Sequence, residues 1–569
     1  MGRPILKRRG WSRRDFLRRA GAAAAVAPWL AGCGQSASLP GGLAPREGDN
    51  PFKHSVASGD PLSNRVILWT RVTPPAGMAG DIPVVLTVAE DPELQVNPQL
   101  IATTAAAARD YTVKHDAEGL APGKTYYYRF SALGFDSPVG RTRTAPLGGV
   151  ERLRVAMVSC SNFPFGFFNA YRFIAERADL DAVLHLGDYI YEYGDGEYGD
   201  LRPCEPPTEI LTLEDYRVRH AQYKADPDLQ EAHRQHPWIC VWDDHESTNN
   251  SRRDSAENHT EGAEGVWPIR KGWAQQAYDE WMPIRLPEPG NPNRIWRNFR
   301  FGELMDLWML DTRLFDRDDE VSAIEDPAIF DAERRLIGPE QRDWLLQGLS
   351  DSQATWKLIG QQVMFGQLKA TPLPDLPVGV PLPSPLAAIS GAGINDVYIN
   401  GDQWDGYQAE RNAILDHLAT SGIDNTVVLT GDIHSSWVMD LVKDPDDLLQ
   451  YNPLTGEGSL AVEFVGTSVT SPGFDQLPGV ANLPELLMAI RGANPHMKYI
   501  EGTRRGYVLL DLSPEETVGE YWFISTITER GGSEAFEIGF ATAAGSNRIT
   551  AQGRSAPKPP KEDAPPLAP

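Results

Sequence analysis

Cysteine is scarce. The chain holds four in 569 residues, too few for a disulfide scaffold, so the fold must rest on a hydrophobic core of the size this length allows. Cys204 and Cys240 could still pair in an oxidising compartment. Positive charge is in deficit: 53 Lys and Arg stand against 78 Asp and Glu, a net charge of −25. Such a balance excludes a specific reader of nucleic acid that grips the phosphate backbone. It also means that an anionic substrate would need local cations to reverse the surrounding field. A long hydrophobic run is missing as well. The apolar stretch that ends at Leu30 is Ala-rich, short and wrongly flanked for a stable transmembrane helix. There is no internal repeat, which excludes a solenoid.

What is present divides along the chain. Arg13 and Arg14 precede the apolar run, and Ala31-Gly32-Cys33 closes it. Residues 1–33 therefore resemble a twin-arginine (Tat) export signal, with the Tat translocase as a partner during export. Leu30 to Cys33 also resembles a lipobox, which would put a lipid on Cys33 and anchor the protein to a membrane. Residues 34–50 are a Gly, Ser and Pro-rich linker. In residues 51–147, runs such as Val66 to Val72, Val84 to Val88 and Tyr126 to Ser131 alternate with Pro, Gly and Asp turns. That pattern predicts a small fibronectin III-like β-sandwich. His54 and Asp60 at its entry read as structural.

Residues 152–530 alternate apolar strands with helical patterns, so this larger domain is α/β. Strands are expected at Met305 to Asp311, Trp356 to Gln361, Val427 to Leu429 and Ala461 to Val465, and helices at Gln275 to Met282 and Pro339 to Leu349. Residues 370–395 read as a long loop. Residues 531–569 are a C-terminal segment whose Pro and Ala-rich end, Ser555 to Pro569, is expected to be disordered.

The chemistry gathers at strand ends. Val155 to Cys160, the amphipathic run Asn169 to Ala178, and Asp181 to Tyr191 read as a β-α-β unit. Sites in such units lie in the loops at the carboxyl ends of the strands. Here those loops carry Cys160, Asp188 and Tyr191, anionic donors suited to a hard, highly charged cation. Trp238 to Glu246 is a third strand with an acidic loop. Asp243 and Asp244 are adjacent there and require a cation or a basic partner. His245 beside them can act as a general acid or stabilise charge on a phosphoryl oxygen. Thr430 to Trp437 follows a fourth strand and sets Asp432 and His434 on one loop. Four strand ends with ligand chemistry describe a polynuclear metal site, with Asp188 as the natural bridging carboxylate.

This order resembles the calcineurin-like metallophosphoesterases, and within them the PhoD-type alkaline phosphatases and phosphodiesterases. The likeness rests on Ala57 to Asp60, Leu68 to Arg71, Val158 to Cys160, Leu184 to Tyr193, Trp242 to Glu246, Leu310 to Arg313, Trp404 to Tyr407 and Gly431 to Trp437. The wider superfamily has Asp-x-His on the first strand and Asn in the third motif; this chain has Ser159-Cys160 and Asp244, the PhoD-type variation. The resemblance implies a layered β-sheet catalytic domain and two kinds of cofactor. Cys160, Asp188, Tyr191 and His434 would hold ferric iron, Fe(3+). Asp188, Asp244 and Asp432 would hold calcium, Ca(2+), with Asn250 as a further candidate.

The implied activity is hydrolysis of phosphate mono- or diesters by in-line attack of a metal-activated hydroxide, with His245 as the catalytic side chain. Arg313 would contact the substrate or form an ion pair with Asp311 or another carboxylate. His185 reads as packing or support, and Trp404 and Tyr407 as pocket wall or core. The expected location is periplasmic or extracellular. Alternatives are a phospholipase D-like or wall-polymer phosphodiesterase and, from another class, a non-enzymic, metal-stabilised surface binding protein.

Overall fold

The computed structural model describes residues 49–321, 326–370, 397–398, 400–476, 483–550 and 552–569. The expected signal segment with Cys33, most of the expected linker and the body of the expected 370–395 loop lie outside these residues. Within them, two large mixed sheets carry the site. The first has nine strands, and its centre is the parallel trio Leu153–Val158, Ala182–Leu186 and Pro237–Val241. Every residue of the trio is buried, which explains why these strands read as continuous apolar runs and not as alternating ones. Gly506–Leu512, Glu516–Ile524 and Glu534–Ala543 extend it antiparallel on one side. The second sheet has seven strands. Met305–Met309, Trp356–Gly360, Thr426–Thr430 and Ala461–Val465 run parallel at its centre.

One core joins the two sheets. Val155, Met157, Leu184 and Leu186 from the first share it with Leu307, Leu358, Leu429 and Phe464 from the second. Each such side chain contributes roughly 1.5–3 kcal/mol through burial. The helices close the outer faces and start where local chemistry sets them. Leu213–Lys224 opens on a capping box between Thr212 and Asp215. Pro227–Gln235 opens on Asp226, whose carboxylate accepts the Asp228 and Leu229 amides. The predicted helices are found at Asn169–Ala175, Trp267–Trp281 and Gly338–Asp351.

The N-terminal region is a sandwich, with a five-stranded sheet built on Ile82–Ala89 and Thr125–Ala132. Its core of Val84, Leu86 and Phe130 packs against Val66 and Leu68 of a facing layer. That facing layer, however, is part of the nine-stranded sheet: Val56–Leu62 pairs in parallel with Pro237–Val241 through Ser58↔Pro237 and Gly59↔Trp238. A side chain at Gly59 would strike the Pro283 and Trp238 carbonyls at 2.2 and 2.6 Å. Asp60 is structural, as expected. It holds Arg297 through two hydrogen bonds of 2.7 and 2.8 Å and accepts the Arg285 amide at 2.5 Å.

The C-terminal segment corrects the sequence reading twice. Glu534–Ala543 is the edge strand of the large sheet, so that sheet continues beyond residue 530. The Pro and Ala-rich end is also not loose. Tyr127 donates to the Pro566 carbonyl at 2.6 Å, the Ala568 amide donates to Gln235 at 2.8 Å, and Lys558 pairs with Glu516 at 2.8 Å. A proline-rich strand cannot build its own ladder, but its free carbonyls are acceptors for donors elsewhere. The suggested Cys204–Cys240 pair is absent. Both are free buried thiols, Cys240 inside its strand.

Candidate metal centre

The ligand loops leave neighbouring strand ends and are stitched together by their backbones. The Cys160 amide donates to the Gly187 carbonyl at 3.1 Å and the Ser161 amide to the Asp188 carbonyl at 2.8 Å. Gly187 also lets the Asp243 loop pack against this turn, since a Cβ there would lie 2.3 Å from Asp243 Cβ. The backbone is strained at the candidate ligand positions themselves: Cys160, Asp188, Asp432 and His434 have φ of 60°, 58°, 57° and 54°. Non-glycine residues adopt this region rarely and at a cost of order 1–3 kcal/mol each, a pattern characteristic of functional sites.

Three overlapping sets of donor atoms result. Cys160, Asp188 and His434 form one, Asp188, Asp244 and His245 a second, and Asp243, Asp244 and Asp432 a third, with the atoms of each set within 4.8 Å of one another. Asp188 and Asp244 each belong to two of the sets. Tyr191 joins the first: its hydroxyl donates to Asp188 Oδ2 at 2.8 Å and lies 3.3 Å from His434 Nε2. Asn250 lies beside Asp244, donating its amide to Oδ2 at 2.6 Å, while its side-chain nitrogen is engaged by Glu257.

The donor set fits metal cations. Asp188 Oδ1, Asp243 Oδ2 and Asp244 Oδ1 are buried without a hydrogen-bond partner, which is unfavourable for carboxylates unless a cation meets them; Arg313 meets Asp243 at 2.5 Å and lies 3.7 Å from Asp244 Oδ1, so the need is greatest at Asp188. Burial pushes the Cys160 thiol well up, and the neighbouring Asp188 charge adds to it. Burial likewise raises Tyr191 and Asp188. Groups so reluctant to ionise become ligands only when a cation takes the proton's place. Burial, with the charge of His245, lowers the His434 pKa to about 3. Its neutral ring can donate Nδ1–H to the Pro472 carbonyl at 3.1 Å, leaving Nε2 as the donor to a metal.

His245 lies in a supporting frame. Its Nδ1 is 2.7 Å from Glu192 Oε2, and its ring stacks on Tyr191 at 4.2 Å between centroids. Burial disfavours the imidazolium, but Glu192, Asp244 and Asp188 override it and raise the pKa well above the ordinary value. Burial alone would raise the Glu192 carboxyl too, yet His245 and the surrounding donors pull it down to about 2. Glu246 is a backbone clamp, accepting the amides of Asp188 (3.1 Å), Tyr189 (2.6 Å) and Asp243 (2.8 Å).

Arg313 is not placed to touch a substrate. Its side chain has no accessible surface. The guanidinium hydrogen-bonds Asp243 at 2.5 Å, Asp402 at 2.8 Å and Asp432 at 2.8 Å. The carboxylate excess consumes the arginine. The expected ion pair is made with carboxylates other than Asp311, namely Asp243, Asp402 and Asp432, while Asp311 accepts the Arg313 backbone amide. His185 is a packing residue, buried against Trp238. Trp404 and Tyr407 are fully buried core. Glu192, Glu246 and Asp402 escaped the sequence reading. The first two adjoin expected ligands and could have been found by asking which buried acids needed partners; Asp402 had no local signal.

Two facing mixed sheets with overlapping sets of metal-donor side chains at their strand ends are the architecture of a metallophosphoesterase, a metal-dependent hydrolase of phosphoric esters. The purple acid phosphatase PPD1 of yellow lupin shares this fold, with a TM-score of 0.50 at 12% identity over 86% of this chain and 73% of that one. The particular family follows from sequence. The chain belongs to the PhoD-like phosphatase family, whose phosphatase domain matches residues 155–521 and whose N-terminal domain matches residues 35–146. It is similar to alkaline phosphatase D of Bacillus subtilis (strain 168), with 34% identity over 547 residues, 93% of this chain and 87% of that protein. A solved structure of PhoD aligns with a TM-score of 0.77 at 33% identity, over 90% of this chain and 94% of the other.

Proposed function

We propose that the protein is an exported alkaline phosphatase or phosphodiesterase that uses ferric iron and calcium. The observation that carries this reading is the convergence of buried carboxylate oxygens without a hydrogen bond, Asp188 Oδ1 and Asp244 Oδ1, on the donor cluster. Cys160, Asp188, Tyr191 and His434 would hold the iron: thiolate, carboxylate and phenolate donors match a hard, highly charged ion. Asp188, Asp244 and Asp432, with Asn250 beside them, would hold calcium through oxygen. When bound, such ions supply Lewis acidity toward phosphoryl oxygens and make water more acidic.

The chain's own residues do the rest. Glu192 orients His245 through Nδ1 and leaves Nε2 free. That nitrogen can donate a hydrogen bond to an equatorial phosphoryl oxygen or a proton to the departing alkoxide. Arg313 neutralises Asp243, Asp402 and Asp432, so the pocket does not repel an anionic ester as strongly as its carboxylates alone would. The twin arginines Arg13 and Arg14 support Tat export, and Cys33 supports lipid anchoring at the membrane surface.

The test is hydrolysis of a chromogenic phosphate monoester and its diester at alkaline pH, by protein folded with iron and calcium, with a chelator control. Chelator-sensitive turnover is expected, and the ratio of the two rates assigns phosphatase or phosphodiesterase. Metal-loaded protein that turns over neither ester would overturn the reading.

A further inference from the structure

We infer that Ser471 is a positioning residue of the iron site: its hydroxyl holds the Tyr191 oxygen and, once Tyr191 is a phenolate ligand, donates the hydrogen bond that tunes it. This rests on the assignment of Tyr191 to iron proposed above and adds to it a residue that is not itself a ligand. Ser471 lies on the loop that follows Ala461–Val465, a parallel strand of the second sheet whose end carries no candidate ligand. The loop reaches three of them instead. The amides of Thr470 and Ser471 both donate to the Cys160 carbonyl at 3.3 Å, and the Val469 amide donates to the Ser159 carbonyl at 3.0 Å. The Pro472 carbonyl faces His434 Nδ1 at 3.1 Å. Ser471 Oγ lies 2.6 Å from the Tyr191 hydroxyl and 3.1 Å from the Cys160 carbonyl oxygen. The loop is itself pinned. Ser468 donates to the Ser471 carbonyl at 2.7 Å, Arg505 Nε–H to the same oxygen at 3.1 Å, and Thr470 to the Asn162 carbonyl at 2.7 Å. Ser471 has no exposed surface, so bulk water does not compete for its hydroxyl.

Counting protons assigns the bond. Tyr191 and Ser471 carry one hydroxyl proton each. Their acceptors are Asp188 Oδ2, 2.8 Å from the tyrosine oxygen, the Cys160 carbonyl, 3.1 Å from the serine oxygen, and each other at 2.6 Å. Tyr191 gives its proton to Asp188, and Ser471 can give its own to either of its two acceptors. A cation held through the Tyr191 oxygen takes the place of the tyrosine proton. The contact between the two hydroxyls then has one proton left, that of the serine. His434 Nε2, 3.3 Å from the Tyr191 oxygen, has none to offer, because the ring's proton is on Nδ1 toward Pro472. A phenolate oxygen is a stronger acceptor than an amide carbonyl, and 2.6 Å is the length of an O–H···O⁻ bond. Ser471 therefore donates to Tyr191 in the metal-loaded protein. The bond draws electron density from the phenolate, makes it a weaker donor to iron and fixes its orientation.

The experiment reads the visible spectrum of the protein loaded with iron and calcium. A phenolate on ferric iron absorbs visible light by charge transfer from oxygen to metal, and excitation in that band enhances phenolate ring vibrations in the Raman spectrum. In Ser471→Ala the freed phenolate is the better donor. The band should therefore move to longer wavelength by roughly 15–30 nm, the fraction of a visible photon's energy that one charge-assisted hydrogen bond is worth. Ser471→Thr keeps the hydroxyl and should keep the band in place. Thr470→Val removes a different bond of the same loop, to Asn162, and should also leave the band unmoved; a shift there equal to that of Ser471→Ala would mean a loosened loop and overturn the inference. An unmoved band in iron-replete Ser471→Ala would overturn it too. The wild type supplies a measurement that needs no variant. Prepared in D2O, its phenolate C–O stretch should shift, because the proton on the bond exchanges. A stretch identical in H2O and D2O overturns the inference, even where the alanine variant binds no iron. Iron-loaded wild type with no phenolate band would remove Tyr191 from the metal and the inference with it, and the ester assays above then decide separately whether the hydrolase stands.

Discussion

Replacing Arg313 with Met tests whether this residue is the internal cation of the site. The guanidinium has no contact with water and serves Asp243 at 2.5 Å, Asp402 at 2.8 Å and Asp432 at 2.8 Å, with Asp244 at 3.7 Å. Breaking a buried pair by removing one partner costs about 3–5 kcal/mol, because the other charge stays buried. Asp402 keeps a second partner in Arg317 at 2.5 Å, so the loss falls on Asp243 and Asp432. These two stand in the ligand cluster, where bound cations would meet the same charge. The metal-free variant should therefore lose about 3–5 kcal/mol and the metal-loaded variant less, by a margin of about half. By linkage, the stabilisation gained on adding metal must then be larger in the variant than in the wild type. Thermal or urea midpoints of both proteins, chelated and loaded, measure all four corners. An equal loss in the two states, or a loss below about 1 kcal/mol in the chelated one, would refute the assignment. Arg313→Lys should fall between, since a point charge cannot reach three carboxylates as a five-donor fork does.

Gly187→Ala places a Cβ 2.3 Å from Asp243 Cβ at φ +103°; overlap and backbone strain together should cost roughly 2–4 kcal/mol, and the variant should purify with depleted metal, which elemental analysis reads. His245→Ala should lower kcat on alkyl phosphates by about 10²–10⁴ with little change in KM, and Glu192→Gln should lower it less; full turnover in the His245 variant would remove its catalytic role. Burial lowers the Lys224 pKa to about 7, with Cys240 opposing weakly. The unfolded chain keeps this proton up to about 10.5 while the folded one loses it near 7, so stability rises with pH across that window. Lys224→Met should therefore be favoured over the wild type most at pH 7 and below, by roughly 5 kcal/mol at most, less the lost bonds to Tyr189 and His233; the gap should close toward pH 10, and a pH-independent difference would contradict the shift.

The strand-end candidates were legible because each signal is local. An apolar run, a small residue and a donor stand within a few positions at Val158-Ser159-Cys160, Leu186-Gly187-Asp188 and Thr430-Gly431-Asp432. The sheet that crosses from the N-terminal region into the larger domain was not legible. It depends on Val56–Leu62 finding Pro237–Val241, and pairing between segments so distant leaves no periodicity in either. The tail shows the converse. Its composition correctly says that it has no core of its own, but it does not say that Tyr127, Gln235 and Arg234 would take its carbonyls. The acidic pair Asp243-Asp244 marks the boundary between these cases. Its sequence states a requirement, a cation or a basic partner, without saying which. The structure divides the answer. Asp243 hydrogen-bonds Arg313 through Oδ1 and keeps Oδ2 unpartnered, and Asp244 accepts the Asn250 amide through Oδ2 and keeps Oδ1 unpartnered. Asp243 is met by a basic partner, Arg313, whereas Asp244 lies farther from that guanidinium, at 3.7 Å, with no hydrogen bond to its Oδ1. A requirement read from charge can therefore be firm even where the partner that satisfies it lies too far along the chain to be foreseen.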